Sequence, residues 1–124
     1  MNQSANALIE RLRAGDATTG VIGLGFVGLP LVVEFARAVY RAVGFDIDAA
    51  KVDEVNRGES YIPDVASSDV AQFVHAGRLR ATTDFAELSS VDTVDICVPT
   101  PLRKTKDPDL SYVVSAVEEI AKHL

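Results

Sequence analysis

Apolar residues along this chain fall into two kinds of block. Short continuous runs alternate with longer stretches in which apolar positions recur every three or four residues. Ala7, Leu8 and Leu12 have helical spacing and predict a short amphipathic helix over 4–14, ended by Gly15-Asp16. Runs at 19–24 and 41–46 have strand length, and the helix-like stretch 26–38 lies between them. Asp48 is placed to cap a helix that runs to Asn56 and stops at Gly58. Residues 59–65 read as a loop, and Val65–His75 as a helix closed by Gly77. A short strand at 79–82 follows, and Asp84 caps a helix of one or two turns to Leu88. Val94-Asp95-Ile96-Cys97-Val98 is an apolar run of the kind expected for a strand buried on both faces. Pro99-Thr100-Pro101 stops it, and a polar loop, 103–109, leads to a last helix over 110–122. There is no internal repeat.

Strand–helix alternation of this kind predicts an α/β fold, a doubly wound parallel sheet. The first strand-to-helix turn carries Gly23-Leu24-Gly25-Phe26-Val27-Gly28, and Asp46 follows eighteen positions later at the end of the second strand. A lone G-x-G-x-x-G is weak evidence. Set between a strand and a helix, with an acid at the next strand tip, it becomes a dinucleotide-binding fingerprint. Gly23 allows the tight turn, Gly25 lets a pyrophosphate approach the backbone, and Gly28 allows helix and sheet to pack closely. The helix start supplies unpaired N–H groups to the phosphates, and Pro30 suits a first turn because its missing N–H costs no helix bond. The plain alternative is a glycine-rich turn with no ligand. A carboxylate at Asp46 can accept hydrogen bonds from both ribose hydroxyls, whereas a 2′-phosphate would meet Asp46 and Asp48; NAD is favoured over NADP. FAD and S-adenosylmethionine sites also use glycine-rich turns.

Composition narrows the partners. At 124 residues the chain is long enough for one domain with a real core. A net charge of −6 without a basic cluster argues against a nucleic-acid surface. The longest apolar run, Val21 to Val33, holds three Gly and one Pro in thirteen residues, too short for a membrane span. Residues 1–16 show no signal-peptide pattern, and a single cysteine suits a reducing cytoplasm. Cys97 reads as a small buried hydrophobe of a strand rather than a nucleophile, and His75 as a solvated helix end rather than a metal ligand. No metal site is expected.

Five stretches, VIGLGFVGLPL (21–31), GFDID (44–48) with Lys51-Val52, NRGESYI (56–62), LRATTDF (79–85) and CVPTPLRKTKDPDLSYV (97–113), resemble the N-terminal NAD-binding domain of the UDP-glucose/GDP-mannose dehydrogenase family. The N-terminal helix and the PTPLRK loop look most like the UDP-N-acetylglucosamine 6-dehydrogenase branch, and UDP-N-acetylmannosamine dehydrogenases share the PTP…PD pattern. The resemblance implies a Rossmann-like domain over 19–124 preceded by a helical segment, 1–18. It implies NAD as cofactor, with Gly23, Gly25, Phe26, Val27 and Gly28 at the pyrophosphate. Asp46 would hold the adenosine ribose, Ile47 and Lys51 would lie on the adenine side, and Pro99 and Thr100 near the nicotinamide half. It implies oxidation of the C6 alcohol of a UDP-sugar to a carboxylate, by two hydride transfers, in a full-length enzyme. The family's catalytic Cys, Lys, Asn and Glu and its sugar-binding domain have no counterpart here, so no catalytic residue is expected. A stand-alone nucleotide-binding or regulatory module is the alternative.

Only about four strands fit where a full fold uses about six. The last strand is then expected to lie beside the first as an open edge, favouring self-association. Where relatives carry Gly before the second strand, this chain reads Ala38-Val39-Tyr40, which predicts either a different helix end or a strained positive φ.

Overall fold

The computed structural model describes residues 3–38 and 40–123. In chain order these form α1 (Gln3–Ala14), β1 (Thr18–Ile22), α2 (Gly28–Arg37), β2 (Arg41–Phe45), α3 (Ala49–Asn56) and α4 (Ser67–His75). Then come β3 (Leu79–Thr82), a 3-10 helix (Phe85–Ser90), β4 (Thr93–Ile96) and α5 (Ser111–Lys122). The four strands are all parallel, in the order β3-β2-β1-β4. The expected α/β doubly wound sheet is present, with β4 beside β1 as anticipated.

Alternation of side chains along a strand sends successive residues to opposite faces, so strands covered on both sides must be apolar throughout. Val21, Ala42, Leu79 and Ala81 pack on one face against α2, α3 and α4. Ile22, Val43 and Phe45 pack on the other, against Leu88 and against Ala116 of α5. α2 buries Leu29, Val32, Val33 and Ala36, a spacing that makes one continuous stripe. Its last turn is tied to α4 by Arg37, which pairs with Asp69 at 3.2 Å and lies 5.5 Å from the centroid of the Phe73 ring.

The local signals are met where their chemistry is local. Asp48 caps α3 by accepting from Ala50 N–H at 3.0 Å, and Asp84 caps the 3-10 helix from Ala86 N–H at the same distance. Gly58 and Gly77, which follow α3 and α4, have φ of 78° and 73°. The polar loop after β4 is a small hairpin, with Leu102 bridged to Pro108 and Arg103 N–H donating to Asp107 C=O at 2.7 Å.

Other expectations need correcting. β4 ends at Ile96, not Val98, and all four of its residues are only half-buried. β4 lies at one edge of the sheet, paired with β1 on one side and with no described strand on the other. Cys97 therefore lies beyond the strand and is half-buried, not a closed core position. β1 and β2 stop at Ile22 and Phe45, which frees Leu24 and Asp46 for the turns above them. The short helix after Asp84 is 3-10 and reaches Ser90. Val39, where strain was expected, lies outside the described residues.

α1 buries no residue, yet two contacts fasten it to the sheet end opposite the glycine turn. Arg11 pairs with Asp92 at 2.6 Å, and the same carboxylate accepts from Thr18 N–H at 2.8 Å. Tyr40 donates its hydroxyl to Leu12 C=O at 2.8 Å. On α5, Ala116 is buried, while Tyr112, Val114 and Val117, and Leu110 just before the helix, are exposed. Among the described residues no helix is long and apolar enough to cross a membrane.

Asp92 does more than its ion pair with the half-exposed Arg11 suggests, because it also satisfies a strand N–H. Asp92→Ala should cost about 1–3 kcal/mol, and Arg11→Ala less than about 1 kcal/mol, as for other exposed pairs. Urea denaturation of the two variants gives the ranking. Amide exchange should speed up across α1 in both.

Candidate nucleotide-binding cleft

Gly23 leaves β1 with φ of 98°, and its N–H donates to Phe45 C=O at 2.7 Å. A Cβ there would stand 2.5 Å from Cys97 O, so a side chain is excluded by conformation and by space. A Cβ on Gly28 would fall 1.6 Å from Gly23 O, so α2 starts directly against the turn it leaves. Gly25 differs from both. A Cβ there meets nothing within 4 Å and its φ lies outside the left-handed region, so nothing in the protein itself calls for a glycine. The open space is above the turn.

α2 begins without a side-chain cap, at Val27. The first N–H groups of a helix have no partner inside it and carry partial positive charge, a ready anion site. Pro30 sits in this first turn, where it removes a donor that has no helical partner.

Gly23, Gly25, Phe26, Val27, Asp46, Ile47, Lys51 and Pro99, all expected from sequence, line one cleft of about 790 Å³ beyond the carboxyl ends of the strands. Gly28 lies beneath it as packing. Thr100 is exposed and is not part of its wall. Asp46 Oδ2 accepts from Leu24 N–H and Oδ1 from Asp48 N–H, both at 2.9 Å. The carboxylate is thus held in one orientation, with lone pairs left for further donors. Around it Phe26, Val27 and Ile47 are 79%, 68% and 80% exposed, an apolar rim that none of the described residues covers. The Leu29 N–H is taken by Gly25 C=O at 3.1 Å; the earlier N–H groups of the turn, the open space at Gly25, a fixed carboxylate and an apolar rim together fit a phosphate-bearing nucleotide.

The opposite wall was not anticipated. Tyr112, Ser115 and Glu119 face the cleft from α5, and Phe85 does so from the 3-10 helix, its ring tilted by 40° against that of Phe45 with centroids 5.8 Å apart. The spacing of 112, 115 and 119 marks one helical face and could have been read in advance. Glu119 is steadied by Lys122 at 3.1 Å. Tyr61 was also missed as a functional residue. It reaches the turn from the α3–α4 loop and donates its hydroxyl to Leu24 C=O. Burial, followed by Asp46, Glu54 and Asp48, pushes its phenol well above the usual tyrosine range.

Cys97 contributes to the cleft floor, and burial, with Asp95, pushes its thiol above the ordinary cysteine value. A protonated thiol is a poor nucleophile, and the expected place of Cys97 as a buried strand residue is not met. His75 is exposed in the last turn of α4, and no metal-binding cluster occurs among the described residues.

A family model, the UDP-glucose/GDP-mannose dehydrogenase family, NAD binding domain, matches residues 17–124. The UDP-N-acetyl-D-mannosamine dehydrogenase of Escherichia coli (strain K12) is 45% identical over 107 residues, 85% of this chain and 24% of that protein. The UDP-N-acetyl-D-glucosamine 6-dehydrogenase of Pseudomonas aeruginosa is 38% identical over 109 residues, 88% of this chain and 25% of that protein. Among solved structures, a ternary complex of GDP-mannose dehydrogenase from Pseudomonas aeruginosa matches with a TM-score of 0.81 at 32% identity, over 85% of this chain and 24% of that one. NDP-N-acetyl-D-galactosaminuronic acid dehydrogenase from Methanosarcina mazei Go1 matches with a TM-score of 0.83 at 30% identity, over 100% of this chain and 28% of that one. The chain spans about a quarter of the length of these relatives.

The glycines separate by experiment. Gly28→Ala should destabilise by about 3 kcal/mol or prevent folding, as overpacking against backbone does. Gly25→Ala should stay within about 0.5 kcal/mol of the parent, as substitutions in open space do. Urea midpoints of the two variants give the comparison. Cys97 should react with iodoacetamide more slowly than free cysteine at pH 8, catching up only as the pH rises above the usual thiol range.

Proposed function

Since the chain belongs to the UDP-glucose/GDP-mannose dehydrogenase family as its NAD-binding domain, we propose that it holds NAD for the oxidation of an N-acetylated UDP-hexosamine at C6. In this reading the turn from Gly23 to Val27 takes the diphosphate through helix N–H groups, with Gly28 keeping α2 close behind it. Asp46 takes the adenosine ribose hydroxyls, Ile47 and Lys51 border the adenine, and Pro99 borders the nicotinamide half. NAD supplies a hydride acceptor when bound. The residues of this chain bind and orient it.

One observation carries the reading: the Asp46 carboxylate is fastened by two backbone N–H groups beside a glycine turn with open space at Gly25. A pre-oriented carboxylate accepts from vicinal hydroxyls at little ordering cost, and with Asp48 next to it a 2′-phosphate meets like charge. The choice of an N-acetylated UDP-sugar rests on the relatives named above. Chemistry past the aldehyde calls for a thiol nucleophile. In this reading Cys97, whose thiol is pushed up by burial and by Asp95, is not that nucleophile.

Calorimetric titration should give tighter binding of NAD than of NADP, and Asp46→Ala should lose about 1–3 kcal/mol of NAD affinity, the cost of unmade hydrogen bonds. Equal affinity for the two cofactors would contradict the ribose role. Purified chain on its own should form no NADH from UDP-N-acetylglucosamine or UDP-N-acetylmannosamine, and steady turnover would overturn the division of labour.

A further inference from the structure

Leu24, between the first two glycines of the turn, is gripped at three points. Asp46 takes its N–H at 2.9 Å, its side chain is fully buried against Gly44, and Tyr61 donates to its carbonyl. The Leu24–Gly25 peptide is trans and planar, so its N–H and C=O point in opposite directions. With the carbonyl drawn to Tyr61, the Gly25 N–H turns away from the α3–α4 loop. It meets no protein acceptor among the described residues, and Gly25 itself lines the cleft. Glycine offers little steric resistance to rotation of this peptide. A flipped peptide would turn its carbonyl oxygen, a partial negative charge, toward the place of an anion.

Tyr61 is well placed to prevent that. Its loop is pinned by Ile62 and Val65 in the core, and Ser60 Oγ accepts from Ile62 N–H at 3.1 Å. Ser67 Oγ accepts from Ser60 N–H at 3.0 Å, so the loop is also fixed to the start of α4. Lys51 Nζ lies 5.9 Å from the centroid of the Tyr61 ring, which holds the ring beside the cleft wall. The raised phenol keeps the hydroxyl a donor throughout the physiological range.

Resting on the NAD-binding reading, we infer that Tyr61 is a positioning residue that locks the Leu24–Gly25 peptide and keeps its carbonyl out of the diphosphate site. The role differs from that of Asp46, since it acts on the phosphates and not on the sugar. Losing the hydroxyl therefore weakens diphosphate ligands selectively.

The test compares the chain with Tyr61→Phe, which removes one oxygen atom, using NAD, ADP-ribose and adenosine as probes in titrations followed by amide NMR. The expected result is a loss of about fivefold to tenfold for NAD and ADP-ribose, the scale of one hydrogen bond. Adenosine affinity should stay within about twofold, because its contacts do not use this peptide. The free variant should show a displaced or doubled Gly25 amide resonance. Unchanged NAD affinity, or an equal loss for adenosine, would overturn the inference. If the parent chain binds none of the probes, the nucleotide reading fails separately. The lock is then judged by the Gly25 resonance alone, and an unmoved signal overturns it. If the variant does not fold, the parent decides: ADP-ribose must shift the Gly25 amide, and a still Gly25 beside a moving Phe26 refutes the lock.

Discussion

One carboxylate joins the two strand tips on which the cleft is built. Asp46 follows β2, yet Oδ2 binds Leu24 N–H beyond β1 while Oδ1 binds Asp48 N–H at the start of α3. The turn after β1, the turn after β2 and the N-terminus of α3 thus share a single anion. Buried or half-buried backbone N–H groups need partners, and here the partner is also the group best placed for a ribose. If Asp46 takes the ribose as proposed, structural satisfaction and ligand chemistry coincide in the same two oxygens, and its removal would affect binding in two ways at once.

The rest of the site follows from how closely α2 approaches β1. With Gly28 against Gly23 O and Gly23 against Cys97 O, the turn is pressed onto the sheet, while a Cβ on Gly25 would meet no atom of the described residues beyond its chain neighbours. The first turn of α2 then faces the cleft without a cap of its own. β4 ends early enough for Cys97 and Pro99 to form part of the floor and rim. α5, packed through Ala116 and Ile120, closes the far side with Ser115 and Glu119.

Much of this was legible in the sequence because the signals are local. Asp48 and Asp84 before helices, Gly58 and Gly77 after them, and the spacing of Leu29, Val32, Val33 and Ala36 each act within a few residues. Most of the expected cofactor residues line one cleft for the same reason, since a glycine turn and a strand-end acid are adjacent in any parallel β-α-β unit. What was not legible depends on long-range placement. The half-burial of β4 depends on what the folded sheet packs against it, which residues 94–98 do not carry. Tyr61 meets Leu24 across 37 positions, through a loop with no periodicity to read. Thr100 was expected at the site on family pattern and stands outside the wall, because the chain turns into the 101–109 hairpin directly after Pro99.

The central claim is that the glycine turn and Asp46 form a single nucleotide site. Amide NMR of the 15N-labelled chain titrated with NAD tests it most directly. The account predicts that Gly25, Phe26, Val27, Asp46 and Ile47 move together with one saturation curve, while α1, α4 and the Thr18–Arg41 end of the sheet stay still. Shifts centred on that opposite end, or separate curves for the glycine turn and Asp46, would contradict it.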